Sequence, residues 1–169
     1  MGKRSVVRPL RSQDCAGVLD AALRSGELHG RWGAGVPTSE EEFAALEARV
    51  ATGRVNALVV EPVANQSIAG LVMLKSGYRL PDSVGVLTYW AFVPWNGRGL
   101  MSCALSQIAD LARDTWVFSS LQARVDPANE PSRRLLMAQG FRCQGLQPFL
   151  VNRWQFQDLE VWSRQLTAV

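Results

Sequence analysis

Residues 89–105 read YWAFVPWNGRGLMSCAL, and they constrain the fold more than any other stretch. An apolar run from Val84 to Val93, containing Tyr89, Trp90 and Phe92, stops at Pro94. The turn Asn96-Gly97-Arg98-Gly99 follows, and a helical pattern opens at Leu100. Leu105, Ile108, Ala109 and Ala112 recur at helical spacing, which predicts an amphipathic helix over Leu100–Arg113. Strand, glycine turn, helix leaves the first N–H groups of the helix unpaired and aimed at an anion. Glycine lets the backbone approach a phosphate closely, and Arg98 adds a charge that pairs with one. The same turn also serves as an ordinary tight connection. It lacks the Lys-Ser/Thr ending of a triphosphate loop and completes no GxGxxG.

The rest of the chain supplies a frame for this unit. Ser5 to Leu10 reads as a strand closed by Pro9, and Ser12 or Asp14 caps a helix running to about Leu23. Ser25 to Pro37 is glycine-rich and irregular and carries the only histidine, His29. Thr38 to Thr52 is a second helix whose first turn, Glu40-Glu41-Glu42, suits the helix dipole. Strands are expected at Asn56–Glu61, Ser67–Ser76 and Ser83–Val93, the last after a Pro81-Asp82 turn, and another at Trp116–Val125. The loop Asp126 to Ser132 leads into a helix that Gly140 ends, and the strands Phe141–Val151 and Gln157–Arg164 close the chain. This order predicts one mixed sheet with helices on both faces.

Composition narrows the function classes. A chain of 169 residues fits one domain, 1–169, large enough to bury roughly 70% of its unfolded surface. The net charge of +3 suits a small polyanion and by itself makes no case for nucleic acid. Cys15, Cys103 and Cys143 are odd in number and widely spaced, so neither a disulfide framework nor a metal site is expected. No apolar run approaches the ~18 residues of a membrane span, and no secretory signal is evident, so a cytoplasmic protein without a membrane partner is expected.

A second motif lies about one strand after the first. Asn129-Glu130-Pro131-Ser132 opens a helix that closes in Gly140-Phe141. With Tyr89-Trp90 ending a strand, Gly97-Arg98-Gly99-Leu100-Met101-Ser102 after it, and Val7-Arg8-Pro9-Leu10 then Asp14 at the start, the chain resembles the GNAT N-acyltransferases. The likeness is particularly close to the branch containing the RimJ and RimL ribosomal-protein acetyltransferases. It implies an α/β (α+β) fold with a mixed, mostly antiparallel central sheet. It also implies acetyl-CoA as co-substrate, a primary amine as acceptor (a protein N-terminus or a small molecule), no metal, and the homodimers common in the family.

On this resemblance, the backbone at Phe92 and Val93 pairs with the pantetheine arm. The turn and helix start, Asn96, Gly97, Arg98, Gly99, Leu100, Met101 and Ser102, take the pyrophosphate, Asn129 contacts the pantetheine or its thiol end, and Ser132 the sulfur. The branch often has a glutamate on the strand before Tyr-Trp, but Val84-Gly85-Val86-Leu87-Thr88 offers no carboxylate. The tyrosine that many GNAT enzymes use as general acid falls at Leu136, and the glutamate common after Met-Thr falls at Cys103, read here as a buried small residue. Ser132, with Asn129 beside it, is then the candidate catalytic group, or else Ser132 merely caps its helix. Trp32, Tyr78, Trp90 and Trp154 are candidate substrate walls, along with His29, Phe43, Arg153 and Phe156, although each aromatic also fits a core position. Arg133 is either solvated or placed to reach the adenosine phosphate. The missing glutamate and tyrosine keep open a CoA-binding module with little turnover, and an unrelated α/β domain using the turn for another phosphate is a third reading.

Overall fold

Two fully covered strands set the architecture. β2 (Val55–Pro62) and β3 (Gly70–Gly77) are buried along almost their whole apolar length in this computed structural model, which describes residues 4–77 and 83–166. Alternate residues serve opposite faces. Leu58, Val60, Val72 and Leu74 join Leu87 against Leu105, Ile108 and Ala112 of helix α4 (Leu100–Asp114). Ala57, Leu71 and Met73 face the other way, onto Val18 and Ala22 of α1 (Cys15–Arg24) and Phe43 and Leu46 of α3 (Glu40–Ala51). Because helices cover both faces, these strands read as continuous apolar runs rather than alternating ones.

The sheet has seven strands in the order β1-β2-β3-β4-β5-β7-β6. β1 is Ser5–Pro9, β4 Val84–Ala91, β5 Ser120–Val125, β6 Arg142–Asn152 and β7 Gln155–Gln165. Neighbours are antiparallel except for β4 and β5, which are parallel. That parallel ladder runs only from Val84–Leu87 against Ser120–Ala123. Beyond it each strand stays held by its other neighbour: β4 by β3 up to Ala91, and β5 by β7 up to Val125. The two strands therefore part, and α5 (Glu130–Ala138) begins after the end of β5. The β6–β7 hairpin is largely exposed, with Trp154 at its tip 90% accessible.

Several boundaries differ from expectation. The irregular Ser25–Pro37 segment contains a short helix, α2 (Gly26–His29), followed by a 3-10 turn over Gly30–Trp32. β3 starts at Gly70 rather than Ser67, whose amide bonds to the Asn65 side chain instead. The strand expected from Trp116 begins at Ser120, because the end of α4 captures the preceding amides: Trp116 donates to Leu111 O and Phe118 to Ala112 O. β4 ends at Ala91, two residues before Val93. The Pro81-Asp82 turn lies outside the described residues.

Two polar links pin the first strand. Ser5, fully buried, donates from Oγ to Leu100 O at 2.8 Å, and Gln107 Nε2 donates to Ser5 O at 2.9 Å, so β1 is docked on the helix that carries the glycine turn. Arg8 bridges Asp14 and Glu61 at 2.7 Å each, tying β1 to the entry of α1 and to β2. Burial raises the Asp14 carboxyl, but the bonds from Arg8 and from the Arg11 amide outweigh it and hold it below the usual carboxylate range. Its stabilisation is complete above the unfolded value of ~3.9 and is lost as pH falls through the lower folded value. Asp14→Asn is expected to cost about 2 kcal/mol at neutral pH, by loss of charge-assisted bonds, and to flatten the decline in stability below pH ~4; urea unfolding at stepped pH measures both.

Candidate active site

The turn between β4 and α4 has the backbone that its glycines permit. Gly97 and Gly99 lie at φ 72° and 76°, in the left-handed region that is costly for other residues. Gly99 occupies the cap position of α4, and no side chain caps this helix, whereas Ser39 caps α3 and Asn129 caps α5. The first N–H groups of α4 thus have no side-chain cap, at the positive end of a 15-residue helix, where an anion is favoured. Arg98 adds its charge, its guanidinium 5.3 Å from the Trp95 ring centroid, and Arg4 reaches the same turn at 3.5 Å from Arg98 O.

This helix end opens into a cavity of about 510 Å³ where β4 and β5 have parted. The turn and α4 contribute Asn96, Gly97, Gly99, Leu100, Met101 and Ser102 to its wall. The start of α5 contributes Asn129 and Ser132, β4 contributes Tyr89, Trp90 and Ala91, and the segment after α1 contributes Leu28, His29 and Trp32. Two motifs separated by a strand in sequence thus meet in one space.

Ser132 does not cap α5. Asn129 does so, its Oδ1 accepting from the Ser132 amide at 3.3 Å. The Ser132 hydroxyl instead sits 2.7 Å from the Tyr89 hydroxyl. When Tyr89 donates, the Ser132 proton is left for the cavity. Burial pushes the Tyr89 phenol up to about 12, against a smaller opposing pull from Ser132, so it remains protonated at neutral pH. In the sequence Tyr89 stands out only as half of the Tyr-Trp motif. The available signal was its place two residues before the end of a strand, on the face that Ala91 shares. Leu136, where a tyrosine was missed, is fully buried in the core.

Other expected site residues lie elsewhere. Phe92 is fully buried, its N–H donating to Ala69 O and its carbonyl accepting from Trp95, so its backbone has no pair to offer a ligand. The Val93 amide is taken by Ser25 Oγ at 3.0 Å. The backbone beside the opening is Thr88–Ala91, one step earlier than expected. Trp154, Arg153 and Phe156 belong to the exposed hairpin and do not line the cavity, and Phe43 is core. Arg133 is held by Glu160 at 2.9 Å and Glu130 at 2.8 Å. Glu40, Glu41 and Glu42 are an exposed first turn in which Glu42 accepts from the Thr38 amide. Cys103 is half-buried with its thiol 3.6 Å from Ser5 O. Tyr78 lies outside the described residues.

Comparison with known proteins decides the family. The model of the acetyltransferase (GNAT) domain matches residues 4–142. The chain belongs to the GNAT acetyltransferase family. No curated protein matches it in sequence. Among solved structures, ribosomal-protein-S5-alanine acetyltransferase from Vibrio fischeri superposes at TM-score 0.80 with 20% identity, over 98% of this chain and 95% of that one. RimJ from Mycobacterium smegmatis, in complex with CoA-disulfide, gives 0.79 with 21% identity, over 95% and 81%. The acetyltransferase yncA from Salmonella typhimurium, with its cofactor acetyl-CoA, gives 0.71 with 24% identity, over 97% and 95%. At these identities the likeness is one of fold, and the site in this GNAT chain stands on its own geometry.

Ser132→Ala is expected to lower kcat for thiol release from acetyl-CoA by roughly 10²-fold with a much smaller change in KM. Tyr89→Phe, which leaves the serine hydroxyl in place, is expected to lower kcat by less. Steady-state kinetics on both variants measure the split.

Proposed function

We propose that this GNAT chain transfers the acetyl group of acetyl-CoA to a primary amine by direct attack in a ternary complex, and that the amine is the α-amine of a peptide or protein. One observation carries the reading. An uncapped helix start bordered by Arg98 and a half-buried Tyr89–Ser132 hydroxyl pair open on the same cavity, at the point where the sheet splits. An acyl-CoA needs both ends at once. Its pyrophosphate requires backbone donors and positive charge, and its leaving sulfur requires a hydrogen-bond donor a pantetheine length away.

The chemistry follows from the groups present. The amine nitrogen attacks the thioester carbon, the C–N bond forms, the C–S bond breaks, and the sulfur takes up one proton for the one lost by the amine. Ser132, backed by Tyr89, is the donor toward the sulfur. Asn129 fixes the start of α5 and with it the position of Ser132. The phenol makes the full enzyme a better reading than a binding module without turnover, since a tyrosine on β4 backs the Ser132 hydroxyl where α5 carries Leu136 in place of one.

Three considerations support an α-amine. Its ordinary pKa of ~8, against ~10.4 for lysine, leaves more of it neutral near pH 7. Leu28, Trp32 and Trp90 give the acceptor side an apolar wall suited to the first side chain of a peptide. The Vibrio fischeri relative is named for acetylation of an alanine on a ribosomal protein.

The test mixes the protein with acetyl-CoA and each of four acceptors: a peptide with a free α-amine, an N-blocked lysine peptide, an aminoglycoside and a polyamine. Free thiol and acetylated product are followed together. Turnover of the free α-amine peptide above the others is expected. No thiol release from any acceptor, together with no thermal shift on adding CoA, overturns the proposal. Gly99→Ala, which forces a side chain into a left-handed cap at about 1–2 kcal/mol, is expected to shrink the CoA-induced thermal shift.

A further inference from the structure

The transfer leaves one role unassigned, the group that takes the proton from the attacking amine. β4 supplies no carboxylate for it, the segment from Val84 to Thr88 being apolar apart from Thr88. From the placement of the only histidine, we infer that His29 is the general base, with Nδ1 as the accepting atom. This assignment rests on the proposed acetyl transfer.

His29 ends α2 and reaches across to the open end of β4, where its Nε2 lies 2.7 Å from Ala91 O. A carbonyl oxygen can only accept, so Nε2 carries the proton of the neutral ring and Nδ1 keeps its lone pair. The ring is held in place. It lies 5.8 Å from the Phe92 ring at a 50° tilt, and its Cβ is so close to Gly33 that a side chain there would approach it to 3.1 Å. Both Ala91 and Tyr89 line the cavity, two residues apart on one strand, so the imidazole and the phenol are brought to the same space by the same element.

The surroundings of the ring are simple. Among the described residues that line the cavity, His29 and Tyr89 are the two with ionisable side chains. β4 contributes Tyr89; Trp95, Asn96 and the exposed glycines of the turn, the first turn of α4, and Asn129, Pro131, Ser132 and Leu135 of α5 contribute none. On its own short helix Glu27 is exposed, and Arg98 of the turn lies over Trp95. A base and an acid facing one cavity is the division of labour that acyl transfer to an amine requires. As the C–N bond forms and the C–S bond breaks, the surplus proton on the amine nitrogen passes to Nδ1. The sulfur receives its proton through Ser132, and His29 and Tyr89 return to their resting states by exchange with water.

His29→Gln tests this, because glutamine keeps an N–H donor for Ala91 O and cannot take up a proton. Two acceptors are used: a peptide with a free α-amine, and a hydrazide whose nucleophilic nitrogen stays unprotonated across the range scanned. With the hydrazide, any acid limb in kcat belongs to the enzyme. The wild type is expected to show that limb. The variant is expected to lose it, to fall in kcat roughly 10²–10³-fold, and to keep the wild-type thermal shift on adding CoA. A variant that retains wild-type kcat or the acid limb overturns the assignment while leaving the acetyl transfer standing. A variant that loses the CoA-induced shift makes His29 a prop for β4 and overturns it too. Wild-type protein inert toward both acceptors overturns the proposed function and this assignment with it.

Discussion

Everything that gives this chain a site depends on an unfinished ladder. β4 and β5 pair in parallel for four residues and then separate, while β3 and β7 hold their outer edges in register. A sheet normally closes such a gap, since unpaired backbone in an interior is costly. Here the gap is lined from both sides instead. α4 brings its uncapped start to the rim, α5 brings Ser132, and the segment after α1 lays His29 on the last carbonyl of β4. The core beneath is covered on both faces, which keeps the split local.

The division between what was readable in the sequence and what was not follows the range of the interactions. The glycine turn and the Asn-x-x-Ser helix start were legible because each depends on neighbours: left-handed φ at Gly97 and Gly99, and a helix cap, although the cap is Asn129 and not Ser132. So were the mixed sheet and its two helical layers, which rest on apolar periodicity. The chemistry of Tyr89 was not, because it depends on a partner 43 residues away. The seat of His29 depends on a carbonyl 62 residues away, and nothing near His29 distinguishes it from a loop histidine.

The misplaced residues have equally physical reasons. Trp116 to Ser119 carry strand-like side chains, but α4 ends nearby with free carbonyls that bind two of their amides first. Phe92 and Val93 continue the apolar run of β4, yet their amides are spent on Ala69 and Ser25. Trp154 and Phe156 are aromatic in a chain whose pocket is aromatic, and only the hairpin geometry shows that they stand in solvent.

The bond between Ser5 and Leu100 spans 95 residues, and it fastens the first strand to the start of α4. Synthesis lays these pieces down at very different times. When β1 leaves the ribosome, the helix that buries Ser5 does not yet exist, and the Ser5 hydroxyl has no α4 carbonyl to bond. The first strand is therefore fastened to the start of α4 only after more than half of the chain has emerged. Closing so long a loop carries an entropic cost set by the chain between, which makes the contact between β1 and α4 one of the later ones to be secured.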